Sequence, residues 1–164
     1  MSDVWGYFWP AAAVGLLFGA IACSAWLRRG RPLFLVVGML LAAGAVALWH
    51  GPLGGSARLV ADVEKQARAT LDAYEMKDVR ARLHRGPLTR RLLLSGPADD
   101  FQRRELVRIM GELPGVSSAN WSPRSPGLPL LLESELVAGL GFLLGAMLAY
   151  LVDLRRRHNA EWTW

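Results

Sequence analysis

The chain has a single cysteine, Cys23, which excludes a disulfide framework within it. Its three histidines, His50, His84 and His158, lie far apart, and no His, Cys or Asp recurs at metal-ligand spacing. No glycine-rich loop runs into a lysine in the manner that cradles phosphate. Ser95 sits in a Ser-Gly-Pro turn with no base near it in sequence. The net charge is +5, yet no basic run with interleaved aromatics of the nucleic-acid-binding kind occurs. The expectation is therefore a chain with no catalytic, cofactor-binding or metal-binding residue and no nucleic-acid partner.

The most informative absence is of charge. Residues 11–27, 32–49 and 136–152 contain no Asp, Glu, Lys, Arg or His. They are the cores of three apolar runs, 4–27, 32–49 and 128–152, in a chain that is 52% hydrophobic. At a rise of 1.5 Å per residue, each run has about the length that crosses a ~30 Å hydrocarbon layer as a helix. A charge at mid-bilayer costs roughly 2.5–3.5 kcal/mol on insertion scales, so a lipid-facing helix needs this emptiness. The alternative, three buried helices of a water-soluble core, leaves too small a polar remainder to cover them. The sequence thus predicts an α-helical membrane protein with three transmembrane helices and a small extramembrane domain between the second and third. The expected divisions are 1–31 (first span and basic turn), 32–55 (second span), 56–122 (domain), 123–130 (proline-rich linker), 131–154 (third span) and 155–164 (tail).

Orientation follows from the short flanks. Arg28, Arg29 and Arg31 join the first two runs, and Arg155, Arg156 and Arg157 follow the third. The positive-inside rule puts both clusters in the cytoplasm, and a three-span chain puts them on one side, so the two signals agree. The N-terminus and the 56–122 domain are then expected in the periplasm of a bacterium. Trp5, Tyr7, Phe8, Trp9, Trp26, Trp49 and Tyr150 fall near the run ends, where amphipathic rings favour the headgroup zone. Ala22-Cys23-Ser24 has the small residues of a lipidation site, but no Lys or Arg precedes it. Cys23 reads as a small packing residue.

Small residues recur at four-residue steps. Gly15 and Gly19 form one such pair and Gly141 and Gly145 another, with Gly38 and Ala42 continuing the pattern in the second run. Such positions let helix backbones approach closely, within the chain or with another chain. A composition rich in Gly and Ala also yields such spacing by chance. The end of the chain, RRRHNAEWTW, offers Arg155, Arg156, Arg157, Trp162 and Trp164 either as a docking tail or as side chains resting on the inner leaflet.

Between the second and third runs, 56–76 reads as a helix that Ser56 can cap, with Leu59, Val60, Val63, Ala67, Thr70, Leu71 and Tyr74 on its apolar face. Val79, Ala81 and Leu83 alternate with Arg80, Arg82 and His84, the period of a half-buried strand. Gly86-Pro87 breaks it, and 88–94 resumes as the second arm of a hairpin. Asp99 or Asp100 caps a second helix that buries Phe101, Leu106, Ile109, Met110 and Leu113 and stops at Pro114-Gly115. Residues 116–121 make a third strand. The order α-β-β-α-β implies helices on one face of a small sheet.

The run Leu92-Leu93-Leu94-Ser95-Gly96, then Phe101-Gln102-Arg103-Arg104, Leu113-Pro114-Gly115-Val116 and Asn120 resembles the BON domain of bacterial envelope proteins of the OsmY and nodulation type. The likeness covers 60–121 and not the spans. Arg85, Arg90 and Arg91 make the first hairpin more basic than the valine-rich hairpin usual there. The resemblance implies a non-catalytic module that binds phospholipid surfaces or supports envelope assemblies. Two functional expectations follow. One is a scaffold or accessory subunit of a larger inner-membrane complex, a respiratory or photosynthetic one among the candidates, with membrane lipids and other membrane-protein subunits as partners. The other is a stand-alone envelope-maintenance protein that binds phospholipid or cell wall through its domain.

Overall fold

The structure is a computed structural model that describes residues 4–122 and 127–161, the last two by their backbone alone. It is mostly helical, with one small sheet. The elements are α1 (Val4–Arg29), α2 (Leu33–His50), α3 (Gly55–Ala73), β1 (Arg80–Arg85), β2 (Leu88–Ser95), α4 (Asp100–Gly111), β3 (Ser118–Asn120) and α5 (Leu130–Glu161). They divide into two compact units. One takes the residues up to Tyr7 together with Gly54–Glu133, and the other takes Phe8–Leu53 with the residues from Ser134 onward.

In the first unit, α3 buries Leu59, Val63, Ala67 and Leu71 at steps of four, the spacing that puts them on one helix face. Full burial of a Leu or Val contributes about 1.5–3 kcal/mol, so this stripe is a principal source of the unit's stability. The helix begins at Gly55 with Gly54 as N-cap, which places Ser56 inside the first turn and not at the cap. Tyr74 forms the C-cap and is exposed, because the helix has ended before its side chain can join the stripe.

The sheet order is β1-β2-β3. β1 and β2 form an antiparallel hairpin, with Leu83 opposite Leu92 and Ala81 opposite Leu94, and its register shifts between Leu83 and Arg85. β3 adds parallel to β2, Ala119 lying opposite Leu92. Paired residues share a face, so Leu83, Leu92, Leu94 and Ala119 make one apolar surface, and all are buried. α3 packs along β1 and α4 along β3, which gives the two-layer arrangement expected of this element order.

α4 starts in a reciprocal capping box. Asp99 accepts from the Gln102 backbone N–H at 2.7 Å, and the Gln102 side chain accepts from the Asp99 N–H at 3.0 Å. Leu106 and Met110 are buried, but Phe101, expected in the same stripe, is 67% exposed. It stands in the first turn, and the buried stripe begins only one turn further along. β3 is limited to Ser118–Asn120, shorter than the 116–121 expected. Gly96 and Gly115 adopt φ of +129° and +96°, values that a β-carbon disfavours, so the turns after β2 and α4 each require glycine.

In the second unit, α1, α2 and α5 are long and apolar enough to cross a membrane. α2 runs back along α1 in the antiparallel sense, Gly38 lying against Ala22, while Val46 clusters with Ala11 and Ala138, and Ala42 with Ala22 and Phe142. α5 meets α1 in the parallel sense, Ala138 lying at Gly15 and Phe142 at Gly19. α5 continues helically to Glu161, so the segment expected as a tail from 155 starts as about two further turns of helix. Asp153 and Arg157 brace this extension by a 2.7 Å ion pair one turn apart.

Candidate functional site

The four glycines singled out by their spacing come together in one seam. A β-carbon on Gly15 would fall on the Ala138 carbonyl, and one on Gly19 on the Phe142 carbonyl. From the other side, one on Gly141 would reach the Ala12 carbonyl and one on Gly145 the Leu16 carbonyl. Each helix thus uses its glycines to admit the other's backbone, the contact mode that small-xxx-small spacing permits. All four glycines are buried. The seam is made within the chain, one of the two kinds of contact that the spacing left open. α2 closes over it, with Gly38 against Ala22 and the Phe142 ring. Gly44 and Gly139, equally glycine but off the seam, meet nothing within 4 Å.

Arg155, Arg156 and Arg157 lie on the helical extension of α5 and are exposed. Trp162 and Trp164, the other expected interaction residues, lie outside the described residues.

The α/β unit presents a second, polar sheet face. The strand register puts Arg80, Arg82, Arg91, Leu93, Ser118 and Asn120 on the side opposite the apolar surface. Thr89 and Arg91 on that face are buried, Thr89 beneath Gly127 and bridged to Pro129. Arg91 is only 7% exposed, and its Nε has no hydrogen-bond partner. A buried guanidinium N–H that lacks a partner costs stability, and nothing in the alternation of β2 announces it.

The side chains that tie the unit together are long-range polar contacts. Arg68 on α3 bonds the Asp72 carboxylate and donates to the carbonyls of Val79 at 3.0 Å and Met76 at 3.3 Å, clamping the turn that leads into β1. The hydrogen bond from Arg68, reinforced by the guanidinium charge, holds the Asp72 carboxyl below its usual range. Glu64 accepts from the Leu83 N–H and pairs with Arg85, each at 3.2 Å. Arg90 pairs with Glu133. Trp121 donates its indole N–H to the Arg103 carbonyl at 3.1 Å while the Arg103 guanidinium lies over its ring. Apart from the Arg68–Asp72 pair within α3, these contacts join residues distant in sequence, which spacing does not announce.

Among the described residues, no three His, Cys, Asp or Glu side chains gather around a common point that could hold a metal ion. His84 is engaged in the hairpin, its Nδ1 3.0 Å from the Pro87 carbonyl oxygen. No protein-family model, curated protein or solved structure matches the chain.

Proposed function

We propose that the chain is a three-span protein of the bacterial inner membrane and a non-catalytic scaffold or accessory subunit of a larger membrane complex. Its α/β unit would be a BON-like periplasmic module that contacts a partner subunit or lipid. One observation carries the reading. The helical unit spends its glycines on its own seam and still turns large apolar side chains outward, with Leu40 68%, Ile21 63% and Leu140 63% exposed. Such a surface needs lipid or another apolar helix against it. The charge-free cores of the spans and the basic residues at the α1–α2 turn and the end of α5 favour the orientation with the N-terminus and the α/β unit outside.

Two experiments test this. A reporter fused near Asp100 should behave as periplasmic, and cytoplasmic behaviour would reverse the orientation. Purification of the tagged full-length chain in mild detergent should recover further membrane subunits in fixed proportion. Recovery as a monomer alone would remove the accessory-subunit reading. The polar sheet face with Arg80 and Arg82 favours a second reading, an envelope-maintenance protein whose domain binds anionic lipid. Salt-sensitive binding of anionic liposomes that is lost on substituting those two arginines would select it.

A further inference from the structure

Beyond Gly145 the α1–α5 seam opens. The two helices then line a cleft of about 390 Å³. Its walls are Ala20 and Leu27 from α1 and Leu148 and Val152 from α5, and at its basic end stand Arg28 and Arg156. These two arginines belong to the two separate basic clusters, 128 positions apart in sequence, and the fold brings them to one opening. Neither has a hydrogen bond or ion pair among the described residues. Asp153 also lines the cleft, with its carboxylate held by Arg157 at 2.7 Å, and the two arginines outnumber it, so the end of the cleft stays positive. Ser24 adds a hydroxyl between the apolar walls and the cations.

A slot with apolar walls at one end and, at the other, two guanidiniums without a partner among the described residues, at the end of helices that cross a bilayer, matches one kind of molecule. The slot accepts an acyl chain, and the guanidiniums meet a phosphate, for which arginine is the better-shaped cation. We infer that this cleft binds an anionic membrane phospholipid, with its headgroup phosphate between Arg28 and Arg156 and one acyl chain along Leu27, Leu148 and Val152. The inference rests on the membrane reading above and adds a specific lipid site on the side where basic pockets between spans meet anionic headgroups.

The test uses the full-length chain purified in mild detergent and loaded from mixed micelles containing equal phosphatidylglycerol and phosphatidylcholine, with bound lipid read by native mass spectrometry. The wild-type chain should retain phosphatidylglycerol over phosphatidylcholine by about tenfold. Arg28→Gln with Arg156→Gln should bring the ratio close to parity, whereas Arg31→Gln with Arg155→Gln, at the same end but not lining the cleft, should preserve it. No preference in the wild type, or equal loss in both pairs, overturns the site. If the first pair does not fold, the wild-type chain decides alone. Phosphatidylglycerol should shield Arg28 and Arg156 from phenylglyoxal and leave Arg31 and Arg155 reactive, and uniform reactivity overturns the site. An alkaline carbonate wash separates the two levels of the proposal. Release of the chain from membranes defeats the membrane reading itself, while retention without lipid preference defeats only the cleft.

Discussion

In the α/β unit, Leu59, Val63, Ala67 and Leu71 are buried together with Leu83, Leu92, Leu94, Leu106 and Met110. In the helical unit the closest approaches are made by Gly15, Gly19, Gly141 and Gly145, where there is no side chain at all. The first unit removes apolar area from water, so larger side chains stabilise it. The second has nothing to gain from hiding apolar area if its surroundings are lipid, so contact area and closeness of backbones decide its packing. The same methyl group therefore has opposite value in the two places.

That opposition can be broken experimentally. The largest effect is expected from Gly19→Val, which sets branched methyls against the Phe142 carbonyl and forces α1 and α5 apart, at a cost of about 3 kcal/mol or more. Gly44→Ala adds a methyl where nothing lies within 4 Å and should leave stability within about 0.5 kcal/mol of wild type. Thermal unfolding in detergent measures both, and equal losses would refute the seam. In the α/β unit, removal of side chain is the damaging change. Leu71→Ala, at a fully buried position, should cost about 2–5 kcal/mol, seen as loss of amide exchange protection across α3.

Smaller changes sharpen the contrast. Asp99→Ala removes the capping box and should cost about 1 kcal/mol, with faster amide exchange confined to the first turn of α4. The smallest effect concerns pH. Folding lowers the Asp72 carboxyl, so its contribution to stability is present above the unfolded carboxylate value and is lost as pH falls through the folded one. Asp72→Asn should accordingly lower stability slightly at neutral pH, make no difference once pH is well below the folded value, and so flatten the acid side of the stability profile. The pair is largely exposed, so salt should weaken the difference.

Different parts of this architecture were legible in the sequence to different degrees. The three long helices show as runs empty of charge, and the β1–β2 hairpin shows as alternation interrupted by Gly86-Pro87. Both signals are local. Which helix meets which is not, because in an apolar helix the buried and outward faces have the same composition and no amphipathic stripe marks the contact. Four-residue spacing marks Gly15 and passes over Gly139, but only the approach of another backbone shows which helix the marked face meets. The same applies to Arg68, whose four-residue spacing from Asp72 suggests a surface pair but whose further bonds reach the start of β1. Phe101 was misplaced because apolar periodicity counts a residue in the first turn as part of a stripe that begins one turn later. Trp162 and Trp164 remain readings of the sequence.

The unbroken α5 fixes angle as well as distance. Each residue turns the helix by about 100° and advances it about 1.5 Å. One alanine inserted after Val152 would leave composition and hydropathy almost untouched, yet swing Arg156 more than a quarter of a revolution away from Arg28. Four inserted residues would nearly restore its azimuth, displaced by about one pitch. Any device that reads this end of the chain is therefore keyed to helical phase, and phase is a property that substitution tables do not record.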